Sequence, residues 1–185
     1  MKDVIIREAT RKDFDLFYPF FKKCINGLFP QFTFITREFY LQEEFAENIL
    51  EKALAQKKKF LYVALDDSTV IGILLVDKLY GGVGFAVWLA VDPLSQKHGI
   101  ASSLLSLWEK NIVINGGHAA QLWTSKNNIH FYKKRGYILI GEFPQAWFGM
   151  DYYHFYKPLA AAEERNYLKE YLLKKKHAQA RKKNL

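Results

Sequence analysis

The sequence predicts an α/β fold in which a central sheet is flanked by helices and followed by a basic, helical C-terminal tail. Three observations lead there. Short runs rich in Val, Ile, Leu and aromatic residues alternate with longer segments of helical period. Tight turns imply hairpins, and helical excursions between strands imply crossovers, so the sheet is mixed. The charge is also uneven. Of 27 Lys and Arg residues, eight lie between Ala160 and Leu185 against three of the 19 acids, so most of the net charge of +8 belongs to the tail.

Val4-Ile5-Ile6 reads as a short strand, and Thr10 or Asp13 can cap the helix that follows. Leu16, Phe17, Phe20, Phe21, Cys24 and Ile25 repeat at helical spacing, with a break or kink expected at Pro19. Asn26-Gly27 ends that segment, and an aromatic loop follows from Phe29-Pro30. A second helix is expected from about Arg37 to Gln56, its acids forming a solvated face. Phe60 to Leu65 and Val70 to Val76 form a hairpin through Asp66-Asp67-Ser68. Gly81-Gly82 lies in a flexible connection to the apolar run Phe85 to Val91, the central strand, which Pro93 ends.

Ile100, Leu104, Leu105 and Trp108 begin the central helix, which Asn115-Gly116-Gly117 stops. Ala119 to Thr124 is a strand and Ser125 to Arg135 a short helix ended by Gly136. Tyr137 to Ile140 and Tyr152 to Tyr156 are the last two strands, joined by a long loop containing Pro144, Trp147 and Gly149. In the tail, Leu159, Tyr167, Leu168, Tyr171 and Leu172 form an apolar stripe. The division expected is a domain over 1–158 and a tail over 159–185.

The single cysteine, Cys24, excludes an internal disulfide and reads as a small core residue rather than a nucleophile. No His/Cys cluster has zinc spacing, so no metal is expected. Met1-Lys2-Asp3 does not begin a signal pattern, and no apolar run approaches the ~20 residues that span a membrane. A cytoplasmic location is the expectation.

Between the central strand and helix lies Gln96-Lys97-His98-Gly99-Ile100-Ala101-Ser102. The first amides of a helix lack partners and sit at the positive end of its dipole, so an anion fits there. Gly99 allows close backbone approach, and Lys97 and His98 add donors. An ordinary strand-to-helix turn is the competing reading.

Gln96-Lys97-His98-Gly99-Ile100-Ala101 resembles the Gln/Arg-x-x-Gly-x-Gly/Ala signature of the GNAT acetyltransferase superfamily. Leu89-Ala90-Val91-Asp92-Pro93 looks like the end of that family's fourth strand. His130-Phe131-Tyr132-Lys133-Lys134-Arg135-Gly136-Tyr137 resembles its Phe-Tyr-x-x-x-Gly-Phe/Tyr ending. The resemblance covers roughly Val4 to Lys157.

It implies a mixed, mostly antiparallel sheet whose fourth and fifth strands part to admit acyl-pantetheine. It implies direct transfer of an acetyl group from acetyl-CoA to a primary amine, on a small molecule or a protein, in a ternary complex. Amides of Leu89, Ala90 and Val91 would face the pantetheine and thioester. The loop from Gln96 through Lys97, His98, Gly99, Ile100 and Ala101 to Ser102 would hold the pyrophosphate, and Tyr132 would protonate the leaving thiolate. A purely packing role for Tyr132 competes with that assignment.

There are two departures from the family pattern. Ser125 stands where many members have a pantetheine-contacting asparagine, with Asn127 and Asn128 as nearby substitutes. Phe85 stands close to where some members carry a glutamate base, which leaves Glu38, Glu43, Glu44, Asp151 and His154 as candidates. Phe29, Phe32, Phe34, Phe39, Tyr40, Trp147 and Phe148 could form an apolar or cation–π acceptor site, or simply pack.

Two alternatives stay open for the domain: a non-catalytic acyl-CoA-binding regulatory module, or an acyltransferase using a longer acyl-CoA. The tail could mediate a homodimer, contact nucleic acid or anionic lipid, or be a frayed terminus.

Overall fold

The computed structural model describes residues 4–183. Its strands are β1 (Ile5–Glu8), β2 (Lys59–Asp66), β3 (Thr69–Asp77), β4 (Val83–Val91), β5 (Ala119–Thr124), β6 (Ile138–Phe143) and β7 (Tyr152–Pro158). They form one seven-stranded sheet in the order β1-β2-β3-β4-β5-β7-β6. Every neighbouring pair is antiparallel except β4 and β5.

The helices are α1 (Phe14–Gly27), α2 (Phe34–Phe39), α3 (Glu47–Ala55), α4 (Ile100–Ile114), α5 (Ile129–Lys133), α6 (Glu164–Tyr167) and α7 (Lys169–Lys183). The alternation of β2 and β3 divides the core. Tyr62, Ala64 and Leu74 pack with α4 and α5, around the fully buried Trp108. Leu61, Val63, Ile73 and Leu75 pack with α1 and α3 on the other face. No β5, β6 or β7 residue belongs to that second cluster. The helical layer on that side therefore ends at β4.

Two expectations are corrected. Pro19 does not break α1, which runs on to Gly27. Pro19 and Asp15 both lie on the exposed side, so the Asp15 carbonyl that loses its helical donor faces water. The single helix expected from Arg37 to Gln56 is instead α2, a π-turn over Tyr40–Glu44, and α3. The Phe45 amide donates to the Tyr40 carbonyl at 2.8 Å, and Ala46 is extended at ψ 150. This irregularity brings Tyr40 and Phe45 onto Trp88, with ring centroids 5.4 and 5.7 Å away. Phe21, Phe29 and Phe32 complete the cage around it.

Asp13 anchors the first turn. Its buried carboxylate accepts both terminal nitrogens of Arg7, at 2.7 and 2.8 Å. It also accepts the Thr10 amide at 2.6 Å and the Thr10 hydroxyl at 2.7 Å. The Arg7 hydrogen bonds hold the Asp13 carboxyl far below the usual carboxylate range, against the opposing effect of burial. A depressed folded-state pKa stabilises above the unfolded value of about 4, and that contribution fades as pH falls below it. Asp13→Asn is expected to cost about 2 kcal/mol at neutral pH. The difference from wild type should shrink in acid, as denaturant melts at pH 7 and pH 3 would reveal.

The start of the tail docks on the body. Leu159 packs against the α4-side core, Tyr167 lies 5.6 Å from the His118 ring, and Leu173 lines a groove with Ile112 and Asn115. Tyr171 and Leu172 of the expected stripe are exposed. Among the described residues, no helix is long and apolar enough to cross a membrane. Cys24 is buried in α1 and its thiol is pushed up to about 12 by burial, as suits an inert core residue.

Candidate active site

β4 and β5 pair only over Val83–Ala86 with Ala119–Leu122. β4 continues to Val91 without a partner on that side among the described residues, so the sheet opens into a gap. A bulge helps this divergence. Leu75 pairs with Trp88 but Val76 with Ala86, so Val87 is the extra residue, and both Val87 and Trp88 pack against the α1–α3 layer.

On the α4 side, the gap meets a cavity of about 570 Å³. Its loop is tightly built. Asp92 accepts the Leu94 amide at 3.1 Å and pairs with Lys23 at 2.5 Å, and Gln96 Nε2 donates to the Val91 carbonyl at 3.1 Å. Lys97 and Gly99 both take left-handed backbone conformations, at φ 64 and φ 82. For Gly99 this is the conformation that a side chain disfavours, and the space a Cβ would enter is open. The first backbone bond of α4 runs from Ser103 N–H to the Gly99 carbonyl, at 3.0 Å. The amides of Ile100, Ala101 and Ser102 therefore have no acceptor within the helix.

The opposite wall comes from α5 and the residues after it. Tyr132 is buried among Phe131, Tyr137 and Phe155 and lines the cavity. Burial raises its phenol above the ordinary value, opposed by the Arg135 charge, so the hydroxyl stays protonated at neutral pH. The Arg135 guanidinium stacks 3.5 Å from the Phe131 ring, donates to the Phe131 carbonyl at 2.8 Å and bonds Ser102 Oγ. Its Nε is buried with no hydrogen-bond partner.

Of the residues singled out in the sequence, Leu89, Ala90, Val91, Gln96, Lys97, Gly99, Ile100, Ala101, Ser102, Asn128 and Tyr132 line this one cavity. His98, Ser125 and Asn127 lie outside its lining. His98 turns back toward the Ser95 carbonyl, at 3.4 Å, and Ser125 stands at the start of the turn before α5 without a side-chain capping bond. Asn128 donates to Thr124 Oγ1 at 3.0 Å and is the residue of this segment's three that lines the cavity. Sequence reading missed Ser95, Phe131 and Arg135. Arg135 lay inside a quoted motif, but its spacing alone does not reveal a contact with Ser102, 33 residues away.

Residues 57–139 match the family model described as an acetyltransferase (GNAT) domain. Over that segment the chain is similar to a GNAT acetyltransferase domain. Solved structures agree in fold. The PaiA N-acetyltransferase of Thermoplasma acidophilum, solved with coenzyme A, superposes with a TM-score of 0.70 at 16% identity, over 84% of this chain and 99% of that one. A GNAT-family acetyltransferase from Streptococcus pneumoniae gives 0.69 at 19% identity, over 85% and 100%. An aminoglycoside 6'-N-acetyltransferase complexed with coenzyme A gives 0.63 at 18%, over 86% and 99%. No curated protein sequence matches the chain. In this chain the parted strands and the cavity meet at most of the residues that the motifs had marked.

The candidate bases divide by position. Glu38 and Glu43 are exposed. Glu44 is exposed as well, and partial desolvation raises its carboxyl, with Lys59 opposing. Asp151 accepts the Gln145 amide at 2.9 Å and so ties its own loop. His154 pairs across the ladder with Trp123, the first β5 residue past the last β4 pair, and its Nε2 lies 3.2 Å from Gln121 Oε1. Burial lowers its pKa, so it is neutral at pH 7 and can accept a proton.

Proposed function

We propose that this GNAT-like domain is an N-acetyltransferase that moves an acetyl group from acetyl-CoA to a primary amine in a ternary complex. The observation that carries the reading is the run of three unpartnered amides at the start of α4, opening on a cavity that meets the β4–β5 gap. The pyrophosphate seats on the amides of Ile100, Ala101 and Ser102, with Lys97 supplying positive charge and Arg135 Nε an unpaired donor. The pantetheine runs past Asn128 into the gap, where the backbone groups of Leu89 and the Val91 amide face the unpaired side of β4, the Val91 carbonyl already accepting from Gln96.

The amine nitrogen attacks the thioester carbon, forming the C–N bond as the C–S bond breaks. The proton leaving nitrogen goes to the free ring nitrogen of His154, directly or through one water. The departing sulfur takes the Tyr132 proton, and solvent returns the proton from His154. Calorimetric titration with CoA, together with thiol release from acetyl-CoA in the presence of amines, tests the reading. CoA binding without any thiol release would favour the regulatory-module alternative, and a panel of acyl-CoA lengths sets the donor.

The tail has no place in this scheme. Leu173 is the last α7 residue lining the groove against the body. Deleting every residue after Lys174 is therefore expected to leave turnover of a small amine within about twofold, on the scale of surface changes. A large loss of rate in a folded protein would place the tail in the site or in a required dimer.

A further inference from the structure

Where the helical layer stops at β4, the face turned away from α4 is lined by aromatic rings. Trp123 and Trp147 lie parallel, with centroids 3.9 Å apart and planes 19° apart. Phe85 meets Trp123 edge-on at 5.1 Å, and Tyr152 meets Trp147 at 5.6 Å. Both indoles remain exposed, at 36% and 43%. Trp123 marks the edge of the gap, so this platform borders the opening through which a thioester held in the cavity would be reached.

The loop that delivers Trp147 is held in a costly shape. Gln145, Phe148 and Gly149 all have left-handed backbones, and the Ala146 amide bonds the Met150 carbonyl at 2.8 Å. A phenylalanine at φ 58 is strained, and such strain persists only when the surroundings enforce it. Phe148 packs on Tyr40 and Phe39 at 5.1 and 5.8 Å, which ties the loop to α2 and its π-turn. The platform is thus a fixed surface rather than a loose tip.

Its charge is equally informative. Among the described residues, no carboxylate hydrogen-bonds to Trp123, Trp147 or Tyr152. Asp151 is tied to the Gln145 amide, and Glu142 pairs across the ladder with Tyr153, whose ring belongs to the α4-side core. Asp151 is thus the carboxylate at this loop and is already engaged, so an amine with several positive charges would find little to meet them, whereas a flat ring would find two indoles.

We propose that the acceptor is a primary amine carried on a single uncharged aromatic ring, which seats against Trp123 and Trp147 with its amino group directed into the gap. This rests on the acetyl-transfer reading above and uses the bond changes given there. The test compares 2-phenylethylamine with spermidine as acceptors, by thiol release from acetyl-CoA, in wild type and in Trp147→Ala and Trp123→Ala. The expected result is a kcat/KM at least tenfold higher for 2-phenylethylamine. Trp147→Ala should cut that value tenfold or more through KM, with calorimetric CoA affinity unchanged. Trp147 stands on a surface loop, so its variant serves if Trp123→Ala fails to fold.

Preference for spermidine, or a KM that Trp147→Ala leaves unmoved, would overturn the aromatic assignment while leaving acetyl transfer standing. A protein that binds no CoA would overturn the transfer reading and this assignment together. Self-association that covers the platform, seen as concentration-dependent tryptophan emission and a dimeric mass, would give the face to a second copy and overturn the acceptor role.

Discussion

Gly99→Val is expected to lower CoA affinity by roughly one to three decades in a protein that still folds. Two effects act together. At φ 82 a β-branched residue is strained by about 1–3 kcal/mol, so the loop shifts and carries the Ile100, Ala101 and Ser102 amides with it. A side chain would also project into the open space that a phosphate needs to reach those amides. Hydrogen bonds to a charged group are worth about 1.5–3 kcal/mol each, so misplacing one or two accounts for the range. Because nothing lies within 4 Å of the added Cβ, the core is not disturbed. Calorimetry on the folded variant decides the matter, and unchanged CoA affinity would remove the phosphate role from this loop.

Tyr132→Phe is expected to lower turnover by roughly one to two decades while CoA affinity barely changes. General acid help is typically worth ~10²–10⁴-fold. A thiolate, with a reference pKa of about 8.5, leaves readily and needs less of it. Burial keeps the Tyr132 phenol protonated through the neutral range, so the proton is available when the C–S bond breaks. Phenylalanine preserves the ring contacts with Tyr137 and Phe155, and stability should hold. Normal turnover in this variant at pH 7 and pH 9, with chemistry shown to limit the rate, would leave Tyr132 as a packing residue.

The strands and α4 were legible because their signals are local. Ala119 to Thr124 was read with the boundaries found, and the apolar run before Pro93 together with the stop at Asn115-Gly116-Gly117 bracketed the central strand and helix. Gly99 was legible as a turn residue because a left-handed backbone between strand and helix favours glycine, and it is found at φ 82. What escaped the reading depends on distant partners. The π-turn at Tyr40 exists because Tyr40 and Phe45 must both reach Trp88, more than forty positions along the chain. Pro19 was tolerated because its orphaned carbonyl faces solvent, a fact about the helix's orientation. Arg135 gained its place from Ser102, and the Trp123–Trp147 stack joins a strand to a loop that no local pattern connects. That Asn128 rather than Ser125 lines the cavity is a matter of helix register, which sequence spacing leaves open by a residue or two.

The four pairs that join β4 to β5 also have a mechanical meaning. Among the described residues they are the ladder pairs that join a block of four strands to a block of three. Along this line the sheet is hinged rather than welded, and thermal motion should work the two blocks against each other most freely at the unstitched end. A slender molecule lodged there, bonding to β4 on one flank and packed against α5 on the other, acts as a splint. Stiffening of the whole sheet would then accompany occupancy of the gap, because the proposed seat of the substrate lies where β4 and β5 part.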